Sequence, residues 1–164
     1  MEILQAVEGS VLWLIDHNHV FKSNILRQAK VYFGDKEKVF FSPMIDSAEN
    51  MKRYSCANIF LDTFPFNAGT TAAEVLGMGL PIVTISGESL ASRYCGSLLH
   101  QMNLKELIMK DCREYVTFSI QLASNLTKLN ELAFNIKNKF GKDSLDSRIF
   151  SKNIENCYKK WMNH

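Results

Sequence analysis

Residues 62–74, DTFPFNAGTTAAE, decide the fold of this chain because they join an apolar run to a helix through a short loop. The apolar run 59–61 ends at Asp62, and the Gly-Thr-Thr step at 69–71 then opens a helix that closes near Gly77. The following segment PIVTI is typical of a strand. The pattern predicts a strand–loop–helix–strand unit with hydroxyl side chains at the N-terminus of its helix.

The N-terminus of this predicted helix has the chemistry of a phosphate site, because free backbone N–H groups and the positive end of the helix dipole meet there. Thr70 and Thr71 add hydroxyl groups, and Glu74 lies one turn below Thr70 on the same side. Its carboxylate could accept hydrogen bonds from two ribose hydroxyls. We predict a nucleotide-diphosphate site, with Asp62 bracing the loop. The alternative is that the threonines only cap the helix and that Glu74 is an ordinary exposed residue.

The N-terminal half of the chain alternates strands with helices. We predict strands over 10–16, 39–41, 59–62 and 81–85, separated by helices over 24–33, 46–56 and 70–77. The expected helix caps are Ser23 for the first helix and Asp46 or Ser47 for the second. This alternation predicts right-handed crossovers and a Rossmann-like, doubly wound parallel sheet, hence the α/β class. His17 and His19, after the first strand, are expected to be loop residues.

The C-terminal half is expected to be entirely helical from Glu88 onward, with helices over 89–102, 113–124, 126–140 and 151–162. Glu88 is expected to complement the dipole of the first of these helices. Ile154, Tyr158 and Trp161 fall on one face of the last helix and predict that it docks against the sheet.

The domain organisation follows from these two halves. We predict a single domain over 1–164, with an α/β nucleotide-binding core over 1–87 and helical segments over 88–164 packing on the sheet. Only nine residues precede the first predicted strand. A self-contained doubly wound domain would place a strand and a helix there, so the sequence predicts a domain that lacks its beginning.

The composition bounds the function. The chain has 164 residues, 46% of them hydrophobic, and its 19 basic and 17 acidic residues give a net charge of +2. This balance favours neither a nucleic acid nor an anionic membrane as partner. With no signal-peptide pattern and no apolar run near the roughly 20 residues of a membrane span, a cytoplasmic location is expected.

The motifs that would imply a metal or a dinucleotide are missing from the sequence. The four cysteines form no zinc spacing, there is no Asp-x-Asp pair, and no G-x-G-x-x-G follows a predicted strand. We therefore expect no metal and no cofactor, and a dinucleotide-dependent enzyme is disfavoured.

Several blocks in a fixed order resemble the protein O-linked N-acetylglucosamine transferases, the plant SPINDLY proteins and their bacterial relatives. The blocks cover almost the whole chain: SVLWL at 10–14, FSP at 41–43, LDTFP at 61–65, NAGTT at 67–71, GLPIVT at 79–84, GESLASR at 87–93, and Ile154, Glu155, Tyr158 and Trp161 in the last helix. The resemblance is to the C-terminal half of the catalytic region, and it implies the donor-binding half of a GT-B fold.

The resemblance also implies roles for single residues. Asn67 and Gly69 would belong to the diphosphate loop, where Thr70 and Thr71 hold the phosphates, and Glu74 would hold the ribose. The base would lie near Arg53, where a guanidinium plane can stack, and against the backbone of a loop formed by Pro43, Met44 and Ile45.

Some of these implications remain open. Arg53 could instead pair with Glu49 on its own helix. The chain departs from the animal enzymes at Gly69, where they have histidine, and at Ser47, where they have lysine.

The function implied by the resemblance is that of a UDP-N-acetylglucosamine-type donor-binding C-terminal domain in an inverting protein O-glycosyltransferase. Its partners would be a UDP-sugar and a protein acceptor bound by an upstream region. Catalytic residues stay unknown because the other catalytic half lies upstream, so the isolated chain is expected to be inactive. The alternative is a non-catalytic nucleotide-binding or protein-interaction module that keeps the glycosyltransferase fold.

Overall fold

The structure, a computed structural model, describes residues 1–140 and 147–162. Within these ranges the strands are β1 (Leu12–Ile15), β2 (Val39–Ser42), β3 (Phe60–Leu61), β4 (Ile82–Ile85) and β5 (Ile108–Met109). The helices are α1 (Glu2–Ala6), α2 (His19–Phe33), α3 (Ser47–Tyr54), α4 (Thr70–Gly77), α5 (Tyr94–Gln101), α6 (Cys112–Ala123), α7 (Leu126–Lys139) and α8 (Ser147–Met162). A short 3-10 helix, Lys105–Leu107, precedes β5.

The described strands form two parallel sheets. β1 pairs with β2, from Leu12 opposite Val39 to Ile15 opposite Ser42. The second sheet has the order β3-β4-β5. Parallel strands joined through helices confirm the predicted Rossmann-like α/β class, and the strand–loop–helix–strand unit is present as β3, α4 and β4.

The hydrophobic core lies mainly around the second sheet. All four residues of β4 are buried, and α4 and α5 contribute fully buried side chains such as Leu76 and Leu99. α6 and α7 add Leu122, Leu129 and Ile136 to the same cluster. Helices from both halves of the chain therefore pack around β4, the strand that follows α4 and pairs with the strand leading into the predicted phosphate loop.

The prediction of helices alone after Glu88 is wrong. β5 pairs with β4, placing Ile108 opposite Thr84. A two-residue strand is too short to show a period of two, so no sequence pattern indicates it.

The start of α5 is also later than predicted, at Tyr94 instead of residue 89. Residues 89–93 form turns in which the Ser89 and Ser92 side chains bond to each other and to nearby backbone groups. Serine side chains compete in this way with the helical backbone ladder. Glu88 consequently precedes a turn and does not lie at the head of a helix.

In the N-terminal half, one helix start and one whole helix differ from the prediction. α2 begins at His19, because the Asn18 side chain, and not Ser23, accepts the capping bond from the Phe21 N–H at 2.8 Å. α1 was not predicted.

Of the two candidate caps of α3, Asp46 is the one that accepts a bond, from the Glu49 N–H at 3.0 Å.

The last helix, α8, does not bury its aromatic stripe. The exposed fractions are 38% for Ile154, 58% for Tyr158 and 75% for Trp161, so the prediction that this face docks against the sheet is wrong. Helical spacing showed that the three side chains share a face, but burial also requires a partner surface. Residues 141–144, which lie between the last two predicted helices, are outside the described residues.

Candidate functional site

The site begins at the N-terminus of α4. Its N-cap residue is Gly69, which has no side chain, and no side-chain capping bond is made there. Thr70 and Thr71 are the first two helical residues and are exposed. The alternative that they merely cap the helix is therefore wrong. Because the first N–H groups of a helix have no partner within it, this end presents donors to solvent.

Asp62 holds the loop before α4 by hydrogen bonds and is only 6% exposed. Its Oδ1 accepts hydrogen bonds from the Thr63 N–H at 2.9 Å and the Ala68 N–H at 2.8 Å. Its Oδ2 accepts a bond from the Thr84 hydroxyl of β4 at 2.6 Å. These bonds tie both ends of the loop to the sheet, which confirms the predicted bracing role of Asp62.

Asn67 lies inside the same loop and is fully buried. Its Nδ2 donates to the carbonyl oxygens of Thr63 at 2.9 Å and Ile85 at 3.3 Å. Among the described residues, its Oδ1 has no hydrogen-bond partner. Asn67 thus shapes the loop through its amide nitrogen, and its oxygen remains a buried acceptor.

The buried surroundings of Asp62 contain groups that the sequence did not indicate. Burial raises the pKa of the Asp62 carboxyl, although hydrogen bonds from Thr84 and the loop backbone lower it. The Tyr115 hydroxyl donates to the Asp62 carbonyl at 3.0 Å, and burial followed by the nearby Asp62 charge raises the pKa of that phenol. Burial, more than the Asp62 charge, likewise raises the pKa of the Cys95 thiol. This cluster is support for the loop.

Glu74 lies on α4 one turn after Thr70 and is half-buried. Its Oε2 accepts a hydrogen bond from the Tyr54 hydroxyl at 3.4 Å, and that hydroxyl accepts one from Asn50 at 2.9 Å. Burial raises the pKa of Tyr54, and the charge of Glu74 adds to the effect. Sequence reasoning missed Tyr54, because it lies 20 residues before Glu74 on another helix and no local sequence pattern links the two residues.

Arg53, at the end of α3, contacts the loop after β2. Its Nη1 donates to the Pro43 carbonyl at 2.7 Å and to the Ser42 hydroxyl at 3.3 Å. The alternative of an ion pair between Arg53 and Glu49 is not seen within the described ranges 1–140 and 147–162.

The loop that Arg53 contacts leaves Met44 exposed and Ile45 half-buried. α3 therefore links the two predicted parts of the site, because Arg53 contacts the Pro43 loop while its neighbour Tyr54 contacts Glu74. His17 and His19 are exposed beyond β1, where His17 contacts Phe21 of α2. The prediction of a loop position is wrong for His19, which is the first residue of α2.

Two further features of the described ranges concern metals and membranes. Within 1–140 and 147–162, no group of three or more His, Cys, Asp or Glu side chains is arranged to hold a metal ion. In the same ranges, no helix combines the length and the apolar character needed to cross a bilayer.

Parallel strands, with an uncapped helix N-terminus following one of them, define this protein as a Rossmann-like α/β domain. The sequence model of a protein family, described as Glycosyl transferase family 41, matches residues 1–156. The chain therefore belongs to glycosyl transferase family 41, a family of glycosyltransferases, and the resemblance found in the sequence is confirmed.

Named relatives share this region. A probable UDP-N-acetylglucosamine–peptide N-acetylglucosaminyltransferase SPINDLY of Solanum lycopersicum is 39% identical over 112 residues, which are 68% of this chain and 12% of the relative. The UDP-N-acetylglucosamine–peptide N-acetylglucosaminyltransferase of Caenorhabditis elegans is 32% identical over 129 residues, which are 79% of this chain and 11% of the relative. The chain thus spans about an eighth of the length of these curated relatives.

The fold has a solved counterpart. A mutant O-GlcNAc transferase of Thermobaculum terrenum matches 97% of this chain with a TM-score of 0.88 and 26% sequence identity, and the match covers 31% of that protein. This likeness confirms the GT-B-type α/β fold that the resemblance implied.

Proposed function

We propose that this chain is the donor-binding C-terminal domain of an inverting protein O-glycosyltransferase and binds a UDP-N-acetylglucosamine-type nucleotide sugar. The observation that carries the proposal is the uncapped N-terminus of α4, where Thr70 and Thr71 are exposed beside Glu74. The names of the plant and nematode relatives specify UDP-N-acetylglucosamine, which supports the choice of donor.

The diphosphate would bind at the first turn of α4. Backbone N–H groups and the two threonine hydroxyls would donate to phosphate oxygens, with the helix dipole favouring their charge. Gly69 leaves the approach open, since the nearest atom that a Cβ there would meet is in the Tyr94 ring, 3.9 Å away. Asn67 keeps the loop in shape through its two bonds to backbone carbonyls.

The nucleoside would lie between α4 and the loop after β2. Glu74, partly oriented by the Tyr54 hydroxyl, would accept hydrogen bonds from the ribose. Arg53 fixes the Pro43 carbonyl and so positions a loop in which the Met44 and Ile45 backbone would read the base edge. Arg53 itself would lie beside the base, where its guanidinium plane can stack.

In the proposed reaction, a Ser or Thr hydroxyl of an acceptor protein attacks the anomeric carbon of the sugar. The bond from that carbon to the phosphate oxygen breaks, and its electron pair leaves with UDP. The α4 N-terminus would stabilise the charge that develops on the diphosphate, so the proposal requires no metal or other cofactor. The acceptor protein and the group that takes its proton would both lie outside residues 1–164. The reaction would take place in the cytoplasm.

The test is a titration of the purified chain with UDP, GDP and NAD, observed through backbone amide chemical shifts. We expect UDP-selective shifts at Thr70, Thr71 and Glu74 with a Kd of about 0.1–1 mM. Thr71→Val should weaken UDP binding about tenfold, because it removes a hydrogen bond to a charged ligand. The matched control is Thr127→Val, which removes an exposed hydroxyl from the first turn of α7 and should leave the affinity unchanged.

Other results would change the proposal in defined ways. GDP-selective shifts at the same residues would replace the uridine donor by a guanosine one. An absence of shifts with every nucleotide, in a sample that is folded by its amide spectrum, would favour the protein-interaction module. Incubation with UDP-N-acetylglucosamine and an acceptor protein should give no transfer by the isolated chain.

A further inference from the structure

Tyr54 joins the end of α3 to the carboxylate on α4. It is the last residue of α3, and its ring packs against the hydrophobic core around the second sheet. Its hydroxyl donates to the Glu74 Oε2 at 3.4 Å. This distance is long for an O–H···O bond. The contact can therefore orient Glu74 only if the tyrosine hydroxyl is itself held in place.

Asn50 holds that hydroxyl. It lies one turn before Tyr54 on α3, and its Nδ2 donates to the Tyr54 hydroxyl oxygen at 2.9 Å. An amide nitrogen can only donate, so this bond occupies a lone pair of the hydroxyl and leaves the hydroxyl proton for Glu74. Hydrogen bonds that run in one direction through a chain also polarise one another. Asn50, Tyr54 and Glu74 thus form a directed relay that ends on the carboxylate.

The phenol remains a donor at neutral pH. Burial raises the pKa of Tyr54, and the charge of Glu74 adds to the effect. Within 1–140 and 147–162, Glu74 takes part in no ion pair. The side-chain hydrogen bond that orients Glu74 in this part of the chain therefore comes from a neutral donor, which leaves the negative charge of the carboxylate uncompensated.

The carboxylate keeps room for a ligand. Its two oxygens offer about four lone-pair directions, and Tyr54 uses one of them. Glu74 is half-buried, so its side chain is partly accessible from solvent. Two neighbouring hydroxyl groups, as ribose presents, can use the directions that remain.

The turn of α3 that carries Tyr54 is fixed from another side. The neighbouring Arg53 donates through Nη1 to the Pro43 carbonyl at 2.7 Å and to the Ser42 hydroxyl at 3.3 Å. Tyr54 is consequently supported by its ring in the core, by Asn50 at its hydroxyl and by Arg53 next to it in the chain. Groups held in this way keep the narrow geometry that recognition of a ligand requires.

We propose that Tyr54 is a positioning residue that makes the nucleotide site select a ribonucleoside diphosphate over its 2′-deoxy counterpart. It would hold the Glu74 carboxylate in the orientation in which the free lone pairs meet both ribose hydroxyls. A carboxylate oriented before binding loses less conformational freedom when the ligand arrives. A 2′-deoxyribose offers one hydroxyl fewer and so gains less from this orientation. The inference rests on the donor-binding function proposed above.

The binding test compares UDP with 2′-deoxy-UDP on the chain and on Tyr54→Phe, which keeps the ring and removes the hydroxyl. UDP should bind the unsubstituted chain about tenfold more tightly than 2′-deoxy-UDP. In Tyr54→Phe the Kd of UDP should rise about fivefold and that of 2′-deoxy-UDP by less than about twofold, so that the selectivity falls. The matched control is Tyr32→Phe, which removes an exposed hydroxyl from α2 and should change neither Kd.

A second measurement uses no nucleotide. Three-bond couplings in the free chain report the side-chain torsions of Glu74, which should correspond to one staggered rotamer. The same couplings should show averaging between rotamers in Tyr54→Phe and in Asn50→Ala. Tyr32→Phe should again leave them unchanged.

Defined results would overturn the proposal. Equal weakening of UDP and 2′-deoxy-UDP in Tyr54→Phe would show a merely structural role for the hydroxyl. Tighter binding of UDP would show that Tyr54 competes with the ribose for Glu74. Averaged torsions in the unsubstituted chain would show that Glu74 is not oriented before binding.

Failure of the donor-binding function would look different. In that case neither nucleotide would bind the unsubstituted chain, and the ribose role of Glu74 would fall with it. The torsions of Glu74 would still decide whether Tyr54 orients the carboxylate, because they are measured without a ligand.

Discussion

β1 and β4 have the same kind of sequence and different surroundings. β1 reads LWLI and β4 reads IVTI, and both runs suggest strands buried on two faces. β4 has a strand on each side and is wholly buried, whereas β1 has β2 on one side and leaves Trp13 exposed. An apolar run thus indicates that a strand can be buried. Whether the strand is buried depends on the elements that pack beside it.

The largest expected difference comes from one substitution made in both strands. Ile82→Ala in β4 should lower the free energy of unfolding by about 3–4 kcal/mol, because it opens a cavity at a fully buried site. Ile15→Ala in β1 should cost about 1 kcal/mol, because the side chain is partly exposed and water can fill the space. Urea denaturation of both variants gives the comparison. Equal losses would mean that β1 is as well covered as β4.

The acids that follow β1 and β3 provide a second comparison. Asp62→Ala should cost about 2–3 kcal/mol, because it leaves the Thr63 and Ala68 N–H groups and the Thr84 hydroxyl without their acceptor. Asp16→Ala should cost at most about 0.5 kcal/mol, because its ion pair with Lys22 lies at the surface, where solvent screens the attraction.

Thermal unfolding measures both aspartate variants, and Asp62→Asn, which keeps one acceptor oxygen, should recover part of the loss. If Asp62→Ala were as mild as Asp16→Ala, the bracing role of Asp62 would be wrong.

The smallest difference concerns two glycines with positive φ. Gly79 has φ +81°, and a Cβ there would meet the Lys137 Cβ at 3.1 Å and the Ala133 carbonyl oxygen at 3.2 Å. Gly34 has φ +63°, and a Cβ there would meet nothing within 4 Å.

We therefore expect Gly79→Ala to cost about 2 kcal/mol and Gly34→Ala about 1 kcal/mol, the difference reflecting the closer packing around the second sheet. Denaturation midpoints at constant m-value are the measurement. A larger loss for Gly34→Ala would contradict this account of the two regions.

Much of the α/β core and of the candidate site could be predicted from the sequence, because local chemistry determines it. Gly69, Thr70 and Thr71 show where α4 begins, and the acid after β3 indicates how the loop is held. What the sequence missed, such as β5 and the late start of α5, lies where elements are short or where serine side chains replace helical hydrogen bonds. The ligand roles of the site residues stay predictions that the nucleotide titration tests.

The sequence by itself determined the parallel α/β class and the position of the loop before α4, because strand and helix periods, glycine and capping chemistry act over a few residues. It also carried the resemblance to family 41, through several blocks in a fixed order. Only the tertiary structure decided that Tyr54 meets Glu74, that Arg53 bonds to Pro43, and that Trp161 and Trp13 are exposed. These contacts join residues that are distant in sequence or depend on a partner surface. Periodicity shows which face of an element is apolar, and only the packed fold shows what lies against that face.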